Sequence, residues 1–161
     1  MKRIILVPTA LCLLTIISIL PVVAARHSTP LNGSMTGSGI ATSQATNSIT
    51  ATIHLNHLGE SSLVGTTTVT GTSDCNGFVG HEEDTITSAN GDQLFVSGQG
   101  KSCPVSTNPL VFQDTVTFTI NGGTGRFAHA SGSGTTQTTI TITSPDGAST
   151  FTATITGSIS Y

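Results

Sequence analysis

Charge is scarce in this sequence, and basic side chains are the scarcest. Of 161 residues, only 5 are Lys or Arg and 8 are Asp or Glu, while tryptophan is absent and tyrosine occurs once. Nucleic-acid binding depends on clustered basic side chains that neutralise phosphates. The composition therefore argues against a nucleic-acid partner and against binding to anionic membrane surfaces.

The first 25 residues predict a secretory signal. Lys2 and Arg3 precede an apolar run over residues 4–20, and a small-residue cleavage site ends at Ala25. We therefore expect a secreted, extracellular protein with no membrane contact after signal cleavage. An uncleaved membrane anchor is the alternative, although the run is short and interrupted by a proline.

Cysteine occurs three times, once inside the predicted signal. In an oxidising compartment the other two, Cys75 and Cys103, would have no competing thiol, and they are expected to form a disulfide. A reactive thiol is an alternative that lacks a nearby Lys and His environment, and a metal site lacks further ligands at suitable spacing. We expect no metal and no other cofactor.

Apolar and polar residues alternate with a period of two through most of the remaining chain. Residues 49–55, 112–120 and 150–161 show the pattern, which is typical of strands with one buried face. Asn-Gly or Asp-Gly pairs within 90–92, 121–123 and 145–147 predict hairpin turns. A flexible lead is expected at residues 26–34. The predicted strands are 35–44, 48–58, 62–72, 77–88, 93–102, 110–120, 126–143 and 149–160.

Eight sequential antiparallel strands predict an all-β fold, namely a single eight-stranded antiparallel β-barrel over residues 35–161. Closure of the sheet removes unpaired edges that would otherwise template aggregation. A β-sandwich is the alternative. Sandwich cores usually contain more bulky aromatics than the six Phe and one Tyr present here, and glycines inside strands suit the bends of a small barrel.

A glycine-rich turn is the most distinctive motif of the chain. It contains Gly122, Gly123, Gly125, Arg126 and Phe127, and an Ala-x-Gly-x-Gly strand follows it. With these residues the chain resembles the allene oxide cyclase and dirigent-like β-barrel superfamily, most closely its secreted bacterial members. The resemblance implies a barrel with an apolar internal pocket, sometimes assembled as a homo-oligomer. Characterised plant members cyclise an unstable epoxide or steer the coupling of phenoxy radicals, but only the turn transfers to this sequence.

Glu82, Asp84 and Arg126 are the candidate ligand-pocket residues, and no catalytic residue is assigned. Glu82 and Asp84 share a strand face with Phe78, which would direct both carboxyl groups into the barrel, where they could orient a ligand or act as an acid and base pair. A β-bulge near Gly80 would instead turn them to solvent.

Arg126 lies directly in the glycine-rich turn. It could pair with Asp84 or Asp114, or it could bind an anionic ligand. The structural alternative is that Arg126 ties the turn to a neighbouring strand. His54 and His57 are expected to point to different sides of their strand, so they should not share a metal.

These features favour a secreted barrel that binds a small apolar or amphipathic molecule in its lumen. One alternative is an isomerase or cyclase that uses Glu82, Asp84 or Arg126. Another is a structural or surface protein whose threonine-rich face, with rows at alternate positions in residues 66–70, 115–119 and 150–156, mediates contacts. A lumen of several hundred Å3 would favour a ligand over a structural role.

Overall fold

The computed structural model describes residues 27–161, so the predicted signal lies outside the described part of the chain. Within these residues, no helix has the length and hydrophobicity that a membrane span requires. A 3-10 turn at Gly125–Phe127 separates the sixth and seventh strands. The eight strands are β1 (Thr29–Ala41), β2 (Thr46–Leu55), β3 (Gly59–Thr72), β4 (Phe78–Ser88), β5 (Gln93–Thr107), β6 (Leu110–Gly123), β7 (Ser131–Ile142) and β8 (Ser149–Ser160).

Each strand pairs in antiparallel fashion with the next along the chain, and β8 returns to pair with β1. The sheet is therefore a closed eight-stranded barrel, as the sequence predicts, and the β-sandwich alternative is wrong. Closure leaves none of the eight strands with an unpaired edge.

Alternating burial along each strand separates the lumen from the outer surface. In β8, Phe151, Ala153 and Ile155 are buried, whereas the threonines between them are exposed. This pattern follows from strand geometry, because successive side chains point to opposite faces of the sheet. The threonine rows consequently lie outside the barrel.

The first strand begins earlier than the sequence indicates. The predicted flexible lead at residues 26–34 is wrong from Thr29 onward, because this segment pairs with β8 and buries Leu31. Glycines at the inward positions 33, 37 and 39 hide the apolar alternation of β1. A strand with three glycines on its inner face looks like a linker by composition.

The seventh strand begins later than expected. Residues 126–130 belong to the 3-10 turn and the loop after it, so β7 starts at Ser131 rather than at residue 126. The fifth strand is longer than predicted and continues past Pro104 to Thr107.

The two ends of the barrel differ. The hydrophobic core fills the end at which β1, β3, β5 and β7 begin, and we call this the packed end; the opposite end is the open end. Met35, Ile49 and Ala51 are partly buried against the core. The core residues are Leu31, Ile53, Leu55, Leu58, Leu63, Ile86, Leu94, Val96, Phe118, Ile120, Phe127, Ala130, Ile155 and Ile159.

A disulfide strengthens the open end. Cys75 in the β3–β4 loop is bonded to Cys103 in β5, with the two Cα atoms 5.6 Å apart, which confirms the predicted pairing. The bond fixes a loop that has few apolar contacts of its own against the wall of the barrel.

Loss of this disulfide is expected to lower the free energy of unfolding by about 3 to 4 kcal/mol, because the cross-link restricts the unfolded chain. Urea denaturation with and without dithiothreitol measures the effect. The Cys75→Ser/Cys103→Ser variant is the control, since dithiothreitol should not change its transition midpoint. An unchanged midpoint in protein shown by thiol titration to be fully reduced would contradict the prediction.

Candidate functional site

The open end of the barrel contains a cavity of about 290 Å3. Its wall combines apolar side chains, including Met35, Ile49 and Phe112, with polar groups such as Asn47 and Thr67. A second cavity, in the packed half, measures only about 40 Å3. The space for a ligand is therefore confined to one half of the lumen.

Three carboxyl groups lie on the wall of this space. Glu82 and Asp84 from β4 line both cavities, so they lie at the boundary between the packed and open halves. Asp114 from β6 lines the open cavity alone. We call these three side chains the lumen carboxyls.

A β-bulge does occur near Gly80, but it belongs to the neighbouring strand. The register shift lies between Val69 and Gly71 of β3, opposite Gly80 and Val79. Because β4 keeps its alternation, Glu82 and Asp84 face the lumen and the solvent-facing alternative is wrong.

The carboxyl group of Asp84 fits because its partner on β3 is a glycine. Asp84 pairs with Gly65, and a Cβ atom at residue 65 would overlap Asp84 Oδ1. Asp84 Oδ1 is buried, and no hydrogen-bond donor of the described chain reaches it. Glu82 Oε1 accepts one long hydrogen bond from Thr67 Oγ1, at 3.4 Å.

The environment of the lumen carboxyls favours their protonated forms. Burial, together with the charges of Asp84 and Asp114, raises the pKa of Glu82 to about 8. Burial and the nearby Glu83 raise the pKa of Asp84 to about 7. Burial raises the pKa of Asp114 to about 6, and a hydrogen bond from the backbone of Thr115 partly opposes this increase. Near neutral pH these groups can therefore donate or accept protons and hydrogen bonds.

Arg126 does not join this site, so its candidate role as a ligand-pocket residue and the possible pairing with Asp84 or Asp114 are wrong. The β6–β7 loop places Arg126 at the packed end, where it lines neither cavity. Its Nε lies 3.9 Å from Asp92 Oδ2, and its guanidinium group lies 4.6 Å above the Phe127 ring centroid. Arg126 therefore has the structural role named as the alternative: it ties the turn to Asp92, the residue just before β5.

The glycine-rich turn is held against the first residue of β5 by one backbone and one side-chain hydrogen bond. Thr124 N–H donates to the Gln93 carbonyl at 2.8 Å, and Gln93 N–H donates to Thr124 Oγ1 at 2.9 Å. Gly125 has φ of 54°, a left-handed conformation that favours glycine. The turn motif thus closes the packed end and contributes nothing to the open cavity.

The histidines of the strands lie on the outer surface. His81 Nε2 lies 2.6 Å from Glu83 Oε1, and His54 Nε2 lies 3.9 Å from Glu60 Oε2. His57 contacts the carbonyl of Pro30. Across residues 27–161, no group of three or more His, Cys, Asp or Glu side chains is arranged to hold a metal ion.

Asp114 belongs to the cavity wall, although the sequence pointed to it only as a possible partner for Arg126. The pattern that would have found it is the alternation of β6, where Phe112, Asp114 and Val116 occupy successive inward positions. Because Asp114 is a polar residue at an inward position that alternation reserves for apolar residues, the pattern does not show that its side chain faces the lumen.

An aromatic pair lies at the mouth of the cavity. The Phe78 and Phe112 rings lie 6.0 Å apart, both line the cavity, and Phe78 is 45% exposed. Gln44 and Ser149 line the same end. The entrance therefore combines aromatic and polar groups, while the acidic groups lie deeper.

The chain has no significant match among family models, curated proteins or solved structures. Its resemblance to the allene oxide cyclase and dirigent-like superfamily therefore stays a prediction based on the turn motif. Since that motif lies at the packed end, function has to be argued from the cavity.

Proposed function

We propose that this protein is a secreted, dirigent-like β-barrel that binds a small apolar or amphipathic molecule in the open half of its lumen. The observation that carries the proposal is the cavity of about 290 Å3, which is near the lower limit of the usual volumes of small-molecule sites. The predicted signal and the Cys75–Cys103 disulfide support an extracellular location.

The distribution of packing within the barrel supports a binding role. A barrel that served only as a structural element would be expected to fill its lumen along its whole length, as the packed half does. Here side chains leave a cavity of about 290 Å3 in the open half, with an aromatic pair at its mouth, against only about 40 Å3 in the packed half. The threonine rows follow the curved outside of a cylinder, so they do not form one flat array.

Binding is favoured over an isomerase or cyclase because it needs fewer groups. The lumen carboxyls could exchange protons with a substrate, but Arg126 is not available to stabilise a developing negative charge in the cavity. A cavity with a few polar groups on an apolar wall is sufficient to bind and orient a molecule.

Native mass spectrometry of the purified protein tests occupancy of the lumen directly. We expect a co-purifying small molecule, or binding of the neutral fluorescent probe N-phenylnaphthylamine when that molecule has been removed. A barrel that carries no small molecule and gives no increase in probe fluorescence would contradict the proposed function.

Filling the cavity with a larger side chain is expected to abolish probe binding. Thr138 is 8% exposed and lines the open cavity, so Thr138→Phe should lower probe affinity at least about tenfold by occupying the same space. Gln137→Phe, at the adjacent exposed position of β7, is the matched control and should leave affinity unchanged. Fluorescence titration measures both, and thermal unfolding verifies that each variant is folded. Equal affinities for the two variants would contradict a lumenal site.

A further inference from the structure

The open cavity is acidic and has no basic side chain in its wall. Within residues 27–161, the lumen carboxyls are the only ionisable groups that line it, and strands β1, β2, β3, β5, β7 and β8 contribute none. The basic groups that form ion pairs lie elsewhere: Lys101 is 3.0 Å from Asp74, outside the lumen, and Arg126 lies beside Asp92 at the packed end.

One oxygen of this acidic group has no protein partner. Asp84 Oδ1 is buried, yet no donor of the described chain reaches it, and Gly65 leaves room for it where a larger residue would displace it. A buried acceptor without a donor costs free energy, typically more when the group is charged. Oδ1 itself is packed against Gly65, so a ligand in the open cavity would meet the accessible part of the Asp84 side chain, together with Glu82 and Asp114 on the same wall.

We propose, building on the binding function above, that the ligand is an amphipathic amine whose protonated nitrogen is bound by the lumen carboxyls. Its apolar body would lie along Met35 and Val116 and point toward the aromatic pair Phe78 and Phe112 at the mouth. The site thus separates a charged inner end from an apolar outer end, and an alkyl or aryl ammonium ion has the matching polarity.

Charge distinguishes this ligand class from other amphiphiles. At about pH 8.5, where the lumen carboxyls are mostly ionised, they would repel an anionic head group, and none of the residues that line the cavity within 27–161 offers it a cation. A neutral alcohol could donate one hydrogen bond to Asp84 but would not offset the repulsion among three acidic groups. An ammonium ion supplies several donors and a compensating charge at the same place.

Binding of an ammonium ion should be linked to proton release. The pKa of Glu82 is about 8 and that of Asp84 about 7 in the barrel, so both are partly or mostly protonated near neutral pH. A cation stabilises the ionised forms and lowers these pKa values. Affinity should therefore increase as the pH rises from about 5.5 to about 8.5, a range in which an alkylamine remains protonated.

Calorimetric titration with octylamine, octanol and octanoate compares three head groups on one alkyl chain. At about pH 8.5 we expect octylamine to bind at least about tenfold more tightly than octanol, and octanoate to bind most weakly. Glu82→Gln/Asp114→Asn should lower octylamine affinity at least about tenfold while changing octanol affinity less than about twofold. Glu83→Gln, which removes an exposed carboxyl from the same strand, is the matched control and should leave both affinities unchanged.

The outcomes separate this inference from the proposed function. If octanol displaces N-phenylnaphthylamine as well as octylamine does, or if the double variant keeps full octylamine affinity, the lumen binds amphiphiles without selecting amines and the inference is overturned. If the probe does not bind and calorimetry detects binding of none of the three compounds, the binding function fails. A tenfold preference for octylamine that weakens toward about pH 5.5 supports both.

Discussion

Raising the pH from about 5 to about 9 is expected to destabilise the protein by several kcal/mol. The folded-state pKa values of Glu82, Asp84 and Asp114 are about 8, 7 and 6, all above the ordinary values of 4.5 and 3.8. Folding therefore keeps protons on these groups that the unfolded chain would release. Their contribution is fully present below about pH 4 and is lost as the pH rises through 6, 7 and 8.

Urea denaturation across this pH range measures the effect. Asp74 acts in the opposite sense at low pH, because its hydrogen bond and ion pair with Lys101 lower its pKa, so maximal stability is expected near pH 4 to 5. The variant Glu82→Gln/Asp84→Asn/Asp114→Asn should flatten the profile above about pH 5, whereas Glu83→Gln should reproduce the wild-type slope. Stability that increases between about pH 5 and pH 8 in the wild-type protein would overturn the assignment of these carboxyls to a desolvated lumen.

Sequence periodicity was sufficient to predict the barrel because most strands alternate apolar and polar residues. In β2 and β8 the buried positions are Ile, Leu, Ala or Phe, and the intervening positions are mostly Thr. The pattern failed where an inward position is glycine, as at Gly33, Gly37 and Gly39 of β1. Glycine has no side chain to mark a face, so the strand could be recognised only through its pairing with β8.

The candidate site was only partly accessible to sequence reasoning. The orientation of Glu82 and Asp84 follows from strand alternation alone, and the structure places both in the lumen. The distribution of empty space does not follow from local patterns, because it depends on which side chains from eight strands meet at the same height. Arg126 was a candidate pocket residue because a turn motif carries no information about which end of a barrel remains open, and its structural alternative is the one that matches its contacts.

The position of Phe127 explains why the glycine-rich turn is a feature of the fold. Its side chain is 0% exposed and packs into the core at the packed end. Tyr161 contacts the ring edge-on, with centroids 5.6 Å apart, and the Arg126 guanidinium covers one face. Gly123 allows this approach, since a Cβ there would lie 2.9 Å from Phe127 Cβ and would overlap the Gln93 carbonyl oxygen.

Because the Phe127 ring fills the packed end, we call it the plug. The variant Phe127→Ala is expected to lower the free energy of unfolding by about 3 to 5 kcal/mol, since a buried ring is lost and the barrel end cannot close around the space. Phe95→Ala is the matched control: Phe95 is 38% exposed on the outer face of β5, so its truncation should cost less than about 1 kcal/mol. Urea denaturation at about pH 5, where the lumen carboxyls are mostly protonated, separates this effect from their ionisation. A Phe127→Ala variant no less stable than Phe95→Ala would show that the turn does not close the barrel.

Folded Phe127→Ala protein should still bind N-phenylnaphthylamine, since the plug and the open cavity occupy opposite ends of the lumen.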